Sequence, residues 1–256
     1  MELQWSFNED AANYDKYRPG YPQELFDDVI SYSQIKAGSK LLEIGIGTGQ
    51  ATLPFLQLGC RVIGIELGEK LSAFVAEKYK GYGNFHVINM DFMSCPVEEN
   101  SYDLIYCATA FHWLPREEAY LKIMSSLKKG GSVALFWNHP FPNRDDDPSN
   151  AASKKIYNKF RPSGKTQKEF GEEDCIIMAQ ELARHGFENV TYRLYKRIRK
   201  LNTDEYIHLL NTYSDHRALD PTLKETFESE MRQAVNEAGG TINIYDTIDL
   251  YLAQKP

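Results

Sequence analysis

The stretch Leu41-Leu-Glu-Ile-Gly-Ile-Gly-Thr-Gly-Gln50 sets three glycines at every second position, directly after an apolar run that reads as a buried strand. Bare backbone at a strand-to-helix turn lets a ligand lie close to the chain, and adenosine-containing cofactors use such turns. A dinucleotide asks for G-x-G-x-x-G, whose last glycine lets helix and strand pack closely. Here the third glycine comes one residue early, and Gln50 holds the reserved place. Glu43 also stands just before the turn, where it would repel an anionic pyrophosphate. NAD is disfavoured on both counts. S-adenosylmethionine reverses the argument, because its sulfonium and ammonium are drawn to a carboxylate and its ribose carries no phosphate.

Working outward, short apolar runs predict strands near 40–46, 60–66, 84–90, 102–108 and 132–138, with helix-like stretches near 49–58, 68–80 and 115–128 between them. Such alternation predicts an α/β fold with a doubly wound, mostly parallel sheet. In the 115–128 stretch, Ala119, Tyr120, Ile123, Met124 and Leu127 share one stripe, and Gly130-Gly131 follows its end. Gln23 to Ser33 is a further amphipathic helix. Past Trp137 the Pro-, Asn- and Asp-rich "NHPFPNRDDDPSN" reads as an excursion rather than a helix crossing back to the sheet.

A helix over 173–185, a strand over 188–200 and helices near 203–214 and 221–238 complete the chain up to "TINIYDTIDLYLAQK". There Ile242, Ile244, Ile248, Leu250 and Leu252 alternate at the period of a half-buried strand, expected to close the sheet antiparallel. The expected organisation is one domain over 1–256, with lid elements at 1–22, 139–171 and about 203–220.

The composition of the 256 residues, 42% hydrophobic and 25% charged, is that of a globular protein, and no apolar run reaches the roughly 20 residues of a membrane span. The net charge of −7 disfavours a nucleic-acid partner, since phosphate binding needs clustered Lys and Arg. A small-molecule substrate is the better expectation, and the sequence leaves the oligomeric state open. Cys60, Cys95, Cys107 and Cys175 are scattered without metal-site spacing, which predicts free buried thiols. The polar, acidic N-terminus lacks the pattern of a secretory signal, so a cytoplasmic location is expected.

Two acids complete the cofactor pattern. Glu66 ends the second strand, where it can accept from both ribose hydroxyls; Asp91 ends the third, with Phe92 beside it to pack on a base. Each acid could instead cap the following helix. Three consecutive strand ends bearing a glycine turn, Glu and Asp-Phe nevertheless describe one crevice.

With "EIGIGTGQ", "GIELG", "NMDF" and "YDLIYCATAFHWL" in view, the chain resembles class I S-adenosylmethionine-dependent methyltransferases, and "ANYDKYRPGYP" with "AFHWL" is most similar to the small-molecule enzymes of the trans-aconitate methyltransferase type. The resemblance implies a Rossmann-like seven-stranded sheet with an antiparallel last strand. It implies that Glu43, Gly45, Gly47, Thr48, Gly49 and Gln50 form the methionine and ribose floor. Glu66 and Leu67 would hold the ribose, Asp91 and Phe92 the adenine, and Ala108 and Thr109 the methionine moiety. Tyr14 would close over the cofactor.

The implied reaction moves a methyl group from S-adenosylmethionine to a small acceptor, with a carboxylic acid among the candidates, and releases S-adenosylhomocysteine. A non-catalytic S-adenosylmethionine-binding module and an NAD-linked oxidoreductase are the alternatives. His112 is the candidate general base, because imidazole titrates near neutrality; otherwise Phe111, His112 and Trp113 begin a helix and pack under the lid. Phe111 and Trp113 are candidate walls of the acceptor pocket, and Arg18 is a candidate partner for a carboxylate. No metal site is expected.

Overall fold

The computed structural model describes residues 10–162 and 168–256. Short apolar segments give β1 (Lys40–Ile44), β2 (Arg61–Glu66), β3 (Phe85–Asn89) and β4 (Tyr102–Ala108), and three longer segments, the second of them basic, give β5 (Leu127–Phe141), β6 (Glu188–Asn202) and β7 (Thr241–Gln254). Their order across the sheet is β3-β2-β1-β4-β5-β7-β6. Pairing is parallel through β5, and β7 runs antiparallel to both β5 and β6. The expected doubly wound sheet with one antiparallel strand is present.

Helices α1 (Ala11–Tyr17), α2 (Gln23–Ser33), α3 (Leu53–Gln57), α4 (Glu69–Lys78), α5 (Arg116–Ser126), α6 (Pro148–Phe160), α7 (Glu172–Arg184), α8 (Thr203–Leu210), α9 (Ser214–Arg217) and α10 (Pro221–Glu237) surround it. One core lies on each face of the sheet. Leu25, Phe26 and Val29 of α2 fill one with Phe55 and Tyr106, and Ala119, Tyr120 and Ile123 of α5 fill the other with Cys175 and Leu182 of α7. The stripe predicted on α5 is thus the buried stripe. All four cysteines are free and buried, as their scatter predicts.

Several boundaries differ from expectation for identifiable reasons. The helix expected over 49–58 is only Leu53–Gln57, because Gly49 has φ +81° and the chain turns until Pro54 opens the helix. β7 is buried on both faces from Asp246 to Ala253, because it is inserted between β5 and β6 rather than half-exposed at an edge. Within the 139–171 excursion, β5 continues to Phe141 and α6 follows, its N-terminus capped by Asp147. That helix packs on α10, and its first turn is bonded to β7 through Asn150 and Asn243. Together α6, α8 and α10 enclose a third core around Tyr206, Ile207, Phe227 and Met231. Of the lid segments expected from sequence, residues 1–9 and 163–167 lie outside the described residues. No helix among the described residues is long and apolar enough to cross a membrane.

Candidate functional site

The chain leaves β1 and turns toward β2 and β3, then crosses back to β4 on the other side of β1, so the sheet's switch point lies between β1 and β4. Ligand crevices of open α/β sheets form outside the carboxyl ends of strands at such a point. A cavity of about 730 Å³ opens there, lined by Gly45, Gly47, Glu66, Leu67, Asp91, Phe92, Ala108, Thr109 and, from above, Tyr14 and Arg18. His112 and Trp113 form another wall. The structure thus brings most of the expected residues together.

The glycines do different work. Gly45 has φ +67°, and a Cβ there would lie 2.6 Å from the Ala110 Cβ. The turn from β1 can pass β4 only as bare backbone. Gly49 has φ +81°, and its added Cβ would lie 2.5 Å from the Tyr79 ring. It serves packing against α4 and does not line the crevice. Gly47 presents its open side to the cavity, with only the Tyr14 ring near, and its amide donates to Glu66 Oε2 at 2.8 Å.

Glu66 accepts also from the Gly68 amide at 2.8 Å, so it spans the glycine turn and the start of α4. Burial raises its pKa, against the pull of the Gly68, Gly47 and Leu67 amides. Asp91 accepts from the backbone and hydroxyl of Ser94 through Oδ2. Both acids line the crevice, and each also accepts from backbone just after it, Glu66 ahead of α4 and Asp91 within a turn rather than at a helix start.

Glu43 does not reach the large crevice. Buried beneath the glycine turn, it accepts from Thr52 Oγ1 at 2.6 Å and Tyr106 Oη at 2.7 Å. Burial raises its pKa to about 7, with the two hydroxyls and Lys78 pulling it down and Glu66 pushing it up. It lines a neighbouring cavity of about 110 Å³ together with Gln50. Thr48 is fully buried and accepts from the Gln50 amide at 2.5 Å. Thr48 and Gln50 therefore brace the turn from behind.

Thr109 closes the β4 end in the left-handed region, φ +54°, and its hydroxyl meets Tyr21 Oη at 2.7 Å. Phe111 is completely buried against Tyr120 in the α5-side core, so it is no part of the pocket wall. Trp113 is 39% exposed and lines the cavity. His112 Nδ1 accepts from the Trp137 indole nitrogen at 3.1 Å, a partner that sequence reasoning missed because the two residues lie on different strand ends.

The cap over the site was only partly legible. Arg18 donates to the Thr212 carbonyl at 2.9 Å, and its guanidinium lies over the rings of Tyr213 and Tyr14. Lys78 on α4 reaches both the Thr48 carbonyl, at 2.9 Å, and Asp15 on α1, at 2.6 Å. A second cavity, about 1110 Å³, lies between the end of β5, α6 and α8–α9. Tyr213 and Asp215 belong to the walls of both large cavities. Nothing in the local sequence marks Asp215, because only the fold carries it over β1. Among the described residues no cluster of His, Cys, Asp and Glu could hold a metal ion.

Residues 42–135 match the family described as a methyltransferase domain, the span that carries the glycine turn and both acids. An uncharacterized methyltransferase-like protein of Schizosaccharomyces pombe is 29% identical over 231 residues, 88% of this chain and 84% of its own length. An uncharacterized methyltransferase of Geobacillus is 34% identical over 50% of this chain and 64% of its own length. Among solved structures, the phosphoethanolamine N-methyltransferase 2 of Haemonchus contortus, bound to phosphomonomethylethanolamine and S-adenosylhomocysteine, superposes with a TM-score of 0.57. It is 16% identical, with all of this chain and 60% of that chain covered. Strand order, site and the match over residues 42–135 support an S-adenosylmethionine-dependent methyltransferase with the class I fold. Neither the NAD-linked nor the non-catalytic alternative is favoured by these relatives, all of them methyltransferases by name.

Proposed function

We propose that the 730 Å³ crevice holds S-adenosylmethionine and that the chain passes its methyl group to a small acceptor brought in beneath the cap. The observation that carries this reading is the convergence of Gly47, Glu66 and Asp91 from three adjacent strand ends on one cavity wall. Glu66 accepts from the ribose hydroxyls while Gly47 leaves room for the sugar. Asp91 accepts from the adenine amino group, and the Phe92 ring supports the base. Ala108 and Thr109 face the methionine moiety, and Leu67 flanks the ribose. Tyr14, held over Gly47 by α1, covers the cofactor.

When bound, the cofactor supplies an already activated methyl group on a sulfonium. Alignment is then the protein's main contribution, worth up to ~7–11 kcal/mol. The cap residues Tyr14, Arg18, Tyr213 and Asp215 exclude water and set the direction from which the acceptor approaches. The described parts of segments 1–22, 139–171 and 203–220 act as a lid on a single domain, and the second cavity is the entry for the acceptor. That enclosure supports a small-molecule acceptor over a polymer.

Calorimetric titration with S-adenosylhomocysteine and, separately, NAD tests the reading. Micromolar binding of the first alone, much weakened in Glu66→Ala, is expected. Preference for NAD, or no binding of S-adenosylhomocysteine, overturns it.

A further inference from the structure

His112 stands in the cavity wall on the short 3-10 turn Phe111–Trp113, and one of its ring nitrogens is already committed. The Trp137 indole nitrogen lies 3.1 Å from Nδ1. An indole N–H can only donate, so Nδ1 supplies the lone pair, and in a neutral ring the proton must rest on Nε2. Burial, then the charges of Arg116 on α5 and His139 on β5, lowers the His112 pKa, which favours the neutral ring.

Trp137 is itself fixed. Its ring packs on Tyr251 and its backbone amide donates at 2.9 Å to the buried Asp249, which His139 approaches from the same strand at 3.1 Å. His112 therefore offers the cavity a donor and no lone pair, so it cannot serve as a base. The carboxylates of the same wall are engaged too: Glu66 with Gly47 and Gly68, Asp91 with Ser94, and Asp215 with Arg161 at 2.8 Å. An alcohol or an ammonium must lose a proton to react, and in this wall the neutral His112 ring has no lone pair left to take it.

Resting on the cofactor reading of this cavity, we infer that His112 is a hydrogen-bond donor through Nε2–H to an acceptor that arrives already ionised, an oxyanion, with Trp137 as the positioning residue that fixes the tautomer. One lone pair of the oxyanion takes the His112 N–H. Another forms the O–CH3 bond as the S–CH3 bond breaks, the bonding pair staying on sulfur. The negative charge of the acceptor and the positive charge of the sulfonium cancel, and no proton moves. Arg18, on the opposite wall, adds positive charge to the same space.

The test uses the full chain labelled with 15N-histidine and saturated with S-adenosylhomocysteine. Long-range proton–nitrogen NMR, with His112 assigned by its loss in His112→Gln, is expected to show the Nε2–H tautomer at pH 7 and a tautomer mixture in Trp137→Phe. Benzoate and 4-nitrophenolate distinguish a carboxylate from a phenolate acceptor; benzyl alcohol and benzylamine are the comparisons. At least one anion is expected to shift the Nε2–H signal and to bind about tenfold more weakly in His112→Ala, a loss equal to one ordinary hydrogen bond. Affinity should return in His112→Gln, whose amide nitrogen can donate from a similar place. An Nδ1–H or doubly protonated ring at pH 7, or a signal that neither anion moves, overturns the inference. Failure of S-adenosylhomocysteine to bind the native chain strikes the cofactor reading instead.

Discussion

The two halves of the sheet are built to different lengths. Strands β1 to β4 have five to seven residues and stop together, whereas β5, β7 and β6 have fourteen or fifteen and overshoot that edge. The short half spends its strand ends on backbone turns and acids that face a ligand. The long half uses its overhang as a wall on which α6, α8 and α10 assemble a core of their own. The crevice lies over the ends of the short half, so one half recognises and the other carries the cap.

Breaking each half separately sharpens the contrast. The largest effect is expected from Gly49→Ala, which adds a Cβ against Tyr79 at a left-handed φ. A loss of about 3 kcal/mol in denaturant unfolding is expected from overpacking and backbone strain together. Gly47→Ala, with open space before it, should cost far less stability while weakening S-adenosylhomocysteine binding; equal losses of stability in the two variants would merge their roles.

Next comes Glu66→Ala, expected to weaken S-adenosylhomocysteine about 100-fold by calorimetry, the worth of two hydrogen bonds to a charged acceptor. Hydrogen exchange in α6 should stay unchanged. Asp147→Ala attacks the other half. Asp147 caps α6 and accepts from Asn243 at 2.8 Å and Tyr245 at 2.9 Å, and although burial opposes it, these bonds hold its pKa down at about 2. About 2 kcal/mol of protection should vanish from α6 amides, with cofactor affinity little altered. A comparable fall in cofactor affinity would show that the cap and the crevice fold as one unit.

The smallest effect is a slope. Glu43 has a folded pKa of about 7, above the ordinary carboxylate value, so between roughly pH 5 and 7 the folded chain holds a proton that the unfolded chain has released. Stability from this group therefore falls as pH rises, by about 1 kcal/mol per pH unit across that window. Glu43→Gln should remove this share of the slope in urea titrations at stepped pH. An unchanged slope would place the titration elsewhere.

The same contrast explains what the sequence disclosed. The short half was legible because its strands are brief apolar runs and its ligand groups sit beside them in the chain: Gly45, Glu66, Asp91 and Ala108 each follow their strand directly. Their division of labour was not. Gly49 and Thr48 look like ligand contacts in sequence, yet they do not line the large crevice, Gln50 reaches only the smaller cavity beside it, and Phe111 belongs to the core although its neighbour Trp113 lines the cavity.

In the long half, local pattern misleads. Asp- and Pro-rich residues 140–148 conceal the end of a strand and a capped helix. Two of the basic residues after them are taken up by partners far along the chain, Lys159 by Glu230 and Arg161 by Asp215. Arg197 and Arg199 had no readable role, because their shared partner Asp246 lies on the adjacent antiparallel strand with no exposed side-chain surface. Such pairings depend on strand register, which a single sequence leaves open.

Tyr213 and Asp215 stand in the walls of both large cavities, so the two chambers share side chains. A molecule that shifts either side chain in one chamber alters the free energy of occupying the other, and the change must be equal in both directions.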